Sequence, residues 1–151
     1  MEFTPLKLKL FLAFKLPLAF IAGLKLEKLT NSEAHISVKY SFLTQNPFKS
    51  IYFAVLCMTG ELASGILCLR SVQQSGIPVS MLVTKMQVSF QKKAVGKITF
   101  RCEDGDLIKE CVKNTIDTKQ GKDIETLSVG YNANGDVIAE MKIQWSFKAK
   151  A

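Results

Sequence analysis

Between Ile51 and Leu69 the chain reads IYFAVLCMTGELASGILCL, and the only carboxylate or ammonium in that run is Glu61. Its neighbours are apolar, apart from Tyr52, Thr59 and Ser64 and the small residues Gly60, Ala63 and Gly65. A run of this length is too long for one strand. It stops at Gly76 and Pro78, both helix terminators, so the pattern predicts a helix from about Ser50, the expected N-cap, to Gln74. The helix is apolar almost all round and must be buried. Its two glycines lower its propensity and let another backbone or ring come close. A carboxylate inside such a helix is costly unless it is paired or takes up a proton. Three ends justify that cost: a buried structural hydrogen bond, a membrane-embedded role, or acid/base chemistry.

The rest of the chain has to cover that helix. Thr4-Pro5 marks a helix start, with Thr4 as cap and Pro5 at the first helical position. That helix runs to Phe14 or beyond, and Gly23 closes the segment. The expected division is residues 1–23 as an N-terminal helix packed on the domain and residues 24–151 as the domain itself. Leu24 to Leu29 is a candidate first strand. His35 to Leu43 alternates, with Ile36, Val38, Tyr40 and Phe42 on one face, until Gln45-Asn46-Pro47 breaks it. After the long helix, Val79–Gln91 alternates with Leu82, Thr84, Met86, Val88 and Phe90 on one side. Lys97–Glu103 alternates likewise. Leu107, Ile108, Cys111, Val112 and Ile116 then recur at helical spacing, with Asp104 or Asp106 as cap and Gly121 as stop. Ile124–Tyr131 and Asp136–Phe147 form a hairpin through Asn134-Gly135, a type I′ signal. The order predicts an α+β fold, a curved antiparallel sheet wrapped around a long central helix, with an extra N-terminal helix.

Charge narrows the function classes. The net charge is +7, yet the lysines are spread over the whole length and arginine occurs only at Arg70 and Arg101. That spread argues against a nucleic-acid partner and leaves an anionic small ligand. Cys57, Cys68, Cys102 and Cys111 form no CxxC pair, and the single histidine, His35, is distant in sequence from all four. No metal and no cofactor are expected, and His35, read as exposed and unpartnered, receives no role. Free cysteines on apolar faces fit a reducing, cytoplasmic setting. The N-terminus is apolar and basic, but Lys7, Lys9 and Lys15 interrupt it and Pro17 splits it, unlike a signal peptide. Glu61 at the centre of the long run weighs against a bilayer span, so membrane contact is not expected.

The stretch NPFKSIYFAVLCMTGELASGIL, with FQKKAVGKITFR after it, resembles the loop, central helix and following hairpin of hotdog-fold thioesterases, the phenylacetate-degradation type in particular. The resemblance covers roughly residues 24 to 148 and is closer to an uncharacterised, thioesterase-like branch of that superfamily. The family pattern is an Asn, six positions to a His-Gly-Gly, then nine from the His to a catalytic Asp or Glu. Here Asn46 matches the Asn, Tyr52 stands in the His position, Phe53 and Ala54 replace the glycines, and Glu61 matches the carboxylate. The resemblance implies Glu61 and Asn46 as catalytic residues, with Glu61 as base or nucleophile on a thioester carbonyl. It implies Ser50, Tyr52, Phe53 and Ala54 as substrate-binding residues at a helix N-terminus whose amides polarise the carbonyl. The Phe53 ring then stands in the acyl slot. Lys92 and Lys93 are placed to meet the phosphates of coenzyme A. The implied ligand is an acyl-CoA or another acyl thioester, and the implied assembly is a homodimer or dimer of dimers. A non-catalytic acyl- or lipid-binding module on the same scaffold is the alternative, and a membrane-associated protein anchored by the basic, apolar N-terminus is a third possibility.

Overall fold

The computed structural model describes residues 4–150. The first elements are helices α1 (Pro5–Lys15) and α2 (Pro17–Ile21). The expected single N-terminal helix is thus two. Leu16 leaves the helical region at φ −135°, ψ 62°, as a residue before proline must, and Pro17 starts the second helix. Thr4 caps α1 as expected, its hydroxyl accepting from the Lys7 amide at 3.2 Å.

Strands β1 (Lys25–Leu29) and β2 (Ala34–Lys39) follow, then helix α3 (Phe53–Ser75), strands β3 (Val79–Phe90) and β4 (Lys97–Cys102), helix α4 (Gly105–Thr118), and strands β5 (Lys122–Tyr131) and β6 (Val137–Ala149). All six strands form one antiparallel sheet in the order β1-β2-β4-β5-β6-β3. One face packs on α3. The inward residues of β6, Ala139, Met141, Ile143, Trp145 and Phe147, are buried as their alternation requires. Gly60 permits this approach: a Cβ there would run into the Met141 sulfur and sit 3.1 Å from the Phe100 ring. This is the curved sheet around a central helix that defines the hotdog fold. The amphipathic α4 buries Ile108 and Val112, and α2 and α4 pack on flanks of α3 that the sheet leaves free.

Several boundaries differ from the sequence expectation. Strand β2 ends at Lys39, so Tyr40 is only half-buried and Phe42 lies 84% exposed in the following loop. The alternation of β3 is broken by a bulge between Val83 and Lys85. Met81 and Val83 face the core before it, and Met86, Val88 and Phe90 pair with inward residues of β6 after it. Leu82 and Thr84 therefore point outward, not inward. The β5–β6 turn runs from Asn132 to Asp136, and only Gly135 takes a positive φ, so it is not the two-residue I′ turn. Asp104 precedes α4 but makes no side-chain cap; its carboxylate accepts from the Leu127 amide at 2.7 Å. The helix ends at Lys119 in the left-handed region, before Gly121. His35 is not exposed: its ring sits 2.7 Å from Glu33.

Candidate active site

Helix α3 starts later than its composition suggests. Tyr52 is the N-cap residue, in extended backbone and without a side-chain cap bond. Ser50, expected to cap the helix, is drawn into the preceding loop. Its amide and hydroxyl both donate to Asn46 Oδ1, at 3.3 and 3.1 Å, as the Phe48 amide does at 2.9 Å. Asn46 Nδ2 donates to the Ile51 carbonyl at 3.4 Å. Asn46 thus organises the loop, an Asx turn before proline extended by one more residue. A backbone bond from Ile51 to Ala94 ties the loop to the β3–β4 connection, and one from Tyr52 to Thr44 closes the loop on itself. The amides of Phe53 and Ala54 find no acceptor among the described residues. They form the orphan N–H pair that every helix start presents.

The Phe53 ring does not turn into the core. It is 55% exposed and meets Tyr52 edge-on at 4.9 Å and Phe90 of β3 at 6.4 Å. Behind it, Ala54, Cys57, Met58 and Glu61 are only half-buried, while α3 residues on either side are buried. Their spacing of three and four defines one open stripe along the first half of α3.

Glu61 ends that stripe. Its carboxylate folds back over Gly65, where a Cβ would lie 3.1 Å from Oε1 and 3.2 Å from the Trp145 ring. Trp145 is pinned: its indole N–H donates to Ser64 Oγ at 3.0 Å, and Ser64 donates to the Glu61 carbonyl at 3.1 Å. The carboxylate itself has no hydrogen bond or ion pair among the described residues. Burial alone pushes its pKa above the ordinary 4.5. Two apolar cavities open beside it. One, of about 200 Å³, is walled by Phe11, Leu16, Leu62, Ile66, Leu69, Met81 and Trp145. The other, of about 270 Å³, lies under Lys15, Leu16, Pro17, Leu18 and Ala19, with Met58 and Leu62 below.

The structure thus brings Asn46 with Ser50, and Tyr52 with Phe53, but not either group with Glu61. Phe53 and Glu61 are eight positions apart on α3, roughly 12 Å along its axis. Lys92 pairs with Asp136 at 3.3 Å, and Lys93 is exposed. Lys97 is tied to Glu27 at 2.7 Å. The cavity walls escaped the sequence reading, because they come from α1, α2, β3 and β6. Gly65 alone carried a signal, since it lies four positions after Glu61 on the same helix. Burial raises the Cys68 thiol and pushes Cys102 up to about 12, so both are packing groups. Among the described residues no three of His, Cys, Asp and Glu gather to hold a metal ion.

Known proteins share this architecture. A protein of unknown function from Pseudomonas aeruginosa, described as a probable thioesterase, superposes with TM-score 0.80 at 21% identity over 97% of each chain. A Chlorobaculum tepidum protein of unknown function gives 0.81 at 17% identity, covering 97% of this chain and 98% of its own. A Haemophilus influenzae thioesterase gives 0.71 at 10% identity, covering 99% and 93%. At these identities the likeness establishes the fold. No curated protein matches the chain in sequence. The model of one family, described as a domain of unknown function (DUF4442), matches residues 6–147. The chain therefore belongs to the DUF4442 family and has the hotdog fold of thioesterase-like proteins.

Proposed function

We propose that this protein is a cytoplasmic acyl-thioester hydrolase, with Glu61 as the catalytic carboxylate, working as a C2 homodimer. The observation that carries the reading is the Glu61 carboxylate, raised by burial, bordering two apolar cavities and without a partner among the described residues. A carboxylate in that setting is a stronger base than one in water. The step is hydrolytic: Glu61 takes a proton from water, the hydroxide attacks the thioester carbonyl, and the C–S bond breaks as that proton passes to the departing sulfur. Acid and thiol are the products. A direct attack by the carboxylate, giving an anhydride that water opens, uses the same geometry.

The developing oxyanion needs donors, and the free amides of Phe53 and Ala54 are suitable in kind. They lie too far along the same helix to serve the carbonyl that Glu61 attacks. A second copy, set antiparallel, would bring its own amides to Glu61. Two features favour that pairing. Strand β3 is a sheet edge, and its inward-facing Met86 and Phe90 are exposed in the protomer, beside the open stripe of α3. Asn46 and Ser50 then act by holding the loop that sets the helix start, and Tyr52 lines the approach. Lys92 and Lys93 meet the phosphates of a coenzyme A carrier.

A second reading keeps binding and drops hydrolysis. It is favoured by the side chains at Tyr52, Phe53 and Ala54, where the resembling thioesterases carry His-Gly-Gly. One experiment separates the two: a series of acyl-CoA chain lengths assayed by free-thiol release, with wild type and Glu61→Gln. Hydrolysis by wild type and a loss on the order of 10²-fold in the variant, with binding retained, is the expected result. Equal turnover by the two proteins ends the catalytic assignment of Glu61. Binding without turnover in wild type selects the second reading.

A further inference from the structure

Helix α1 is apolar on two opposite faces, and the fold uses only one. Leu8 and Leu12 are each 1% exposed and seal the core. Leu6, Leu10 and Phe14 lie on the other side, 67%, 52% and 80% exposed. Their spacing of four makes one stripe. At about 100° per residue, Lys7 falls on one flank of that stripe and Lys9 on the other. Leu18 and Ile21 of α2 continue the exposure beyond Pro17, at 68% and 58%. Single exposed leucines are ordinary; this many on one short segment mark a contact surface.

Charge identifies the occupant. From Thr4 to Leu26 there is no acidic residue, but Lys7, Lys9, Lys15 and Lys25 are present. A C2 contact through this face would bring together two copies of a segment that carries lysines and no carboxylate. An anionic bilayer offers the opposite: hydrocarbon for Leu6, Leu10 and Phe14, and phosphate for lysines that reach to either side. Helix α1 has 11 residues, too few to span a bilayer, so it would lie in the interface plane. The one described helix that is long and apolar enough to span, α3, is mostly buried and serves as the core.

We propose that the outward face of α1, continued by Leu18 and Ile21, is a docking surface for anionic membranes. The surface is peripheral and reversible, with apolar insertion and electrostatic attraction acting together. Neither contribution alone holds a protein firmly at a bilayer.

The test is flotation of the full chain with phosphatidylcholine vesicles, with and without about 30% phosphatidylglycerol, at low and high salt. Wild type should float with the anionic vesicles and be released by salt. Leu10→Ser with Phe14→Ser should weaken that partition at least about tenfold. Lys7→Glu with Lys9→Glu should weaken it about fivefold per lysine and remove the salt dependence. All four side chains are exposed, so melting temperatures should stay within a few degrees, and a melt recorded beside each flotation verifies the fold. Wild type that stays in solution with anionic vesicles at low salt overturns the proposal. So do apolar variants that float as wild type does. If the apolar variants instead lower the solution mass measured by light scattering, the face joins copies of this chain and the membrane assignment fails.

Discussion

Replacing Gly65 by Ala probes the site without touching its carboxylate. The new Cβ would lie 3.1 Å from Glu61 Oε1 and 3.2 and 3.3 Å from two Trp145 ring atoms, so something must yield by a few tenths of an ångström. Trp145 is poorly able to move: it is 4% exposed and its N–H is bonded to Ser64. Glu61 has no partner among the described residues and has two cavities to turn into. The carboxylate should therefore swing away. The stability balance is small. Ala in place of Gly inside a helix gains about 0.8–1.0 kcal/mol. Crowding a packed site costs about 1–3 kcal/mol, near the low end where one neighbour can rotate away. The net should stay within roughly 1–2 kcal/mol of zero by thermal or denaturant unfolding. Turnover should fall about tenfold or more, because displaced catalytic groups lose rate steeply. The cavities it turns into are walled mainly by apolar side chains, so the moved carboxyl stays desolvated and the acid limb of the pH–rate profile should keep its raised position while turnover falls. Unchanged turnover would refute the reasoning. A stability loss much above about 3 kcal/mol would show that Trp145, not Glu61, gave way.

Glu61 should also shape stability against pH. Its folded pKa is raised above 4.5, so the folded state holds the proton more tightly than the unfolded one. The penalty is absent below 4.5, grows as pH rises through the folded value, and is constant above it. The melting temperature of Glu61→Gln minus that of wild type should therefore grow over that window. The lowered carboxyls of Glu27, Glu33 and Asp136 act oppositely but equally in both proteins and cancel; a flat difference curve would show that Glu61 is not desolvated. For assembly, Phe90→Lys at the exposed end of β3 should turn a dimer into a monomer by light scattering and lower thioesterase activity with it. A wild type that is already monomeric at micromolar concentration would remove the second copy from the site.

The sequence made the architecture legible where one periodicity ruled a whole element. The alternation of Val137 to Phe147 and the apolarity of Val55 to Leu69, interrupted only by Thr59, Glu61, Ser64 and small residues, left little choice of strand or helix. It failed where a single residue changed phase. The bulge between Val83 and Lys85 has no side-chain signature, so Leu82 and Thr84 were expected on the wrong face. The start of α3 was misplaced because Ser50 is as good a partner for Asn46 as for a helix end, and the loop won its hydroxyl. The match of Asn46 and Glu61 to one motif also gave no distance between them. Motif spacing runs along the chain, whereas Asn46 spends its amide on its own loop. The walls around Glu61 were invisible for a further reason. Leu16, Met81 and Trp145 are far apart in sequence, and only the packing of α1 and α2 onto α3 makes them neighbours.

That packing links the two surfaces of the N-terminal segment. Leu16, Pro17 and Leu18 roof the cavity above Glu61, and Leu18 is also on the exposed side that follows α1. Desolvation is the cause that lifts the Glu61 carboxyl, and the roof is part of what covers it, so the roof contributes to its proton affinity. Any ligand that displaces the roof must alter that affinity, and protonation of Glu61 must alter the roof's hold by the same free energy. The coupling has a sign. A roof lifted outward admits water, lowers the carboxyl towards 4.5 and weakens Glu61 as a base while widening access to it. A roof pressed inward does the reverse. Membrane docking through α1 would therefore leave the chemistry untouched only if α2 stayed in place. The break at Leu16–Pro17, where the helix hydrogen bonds are interrupted, is where α1 and α2 can most easily part company.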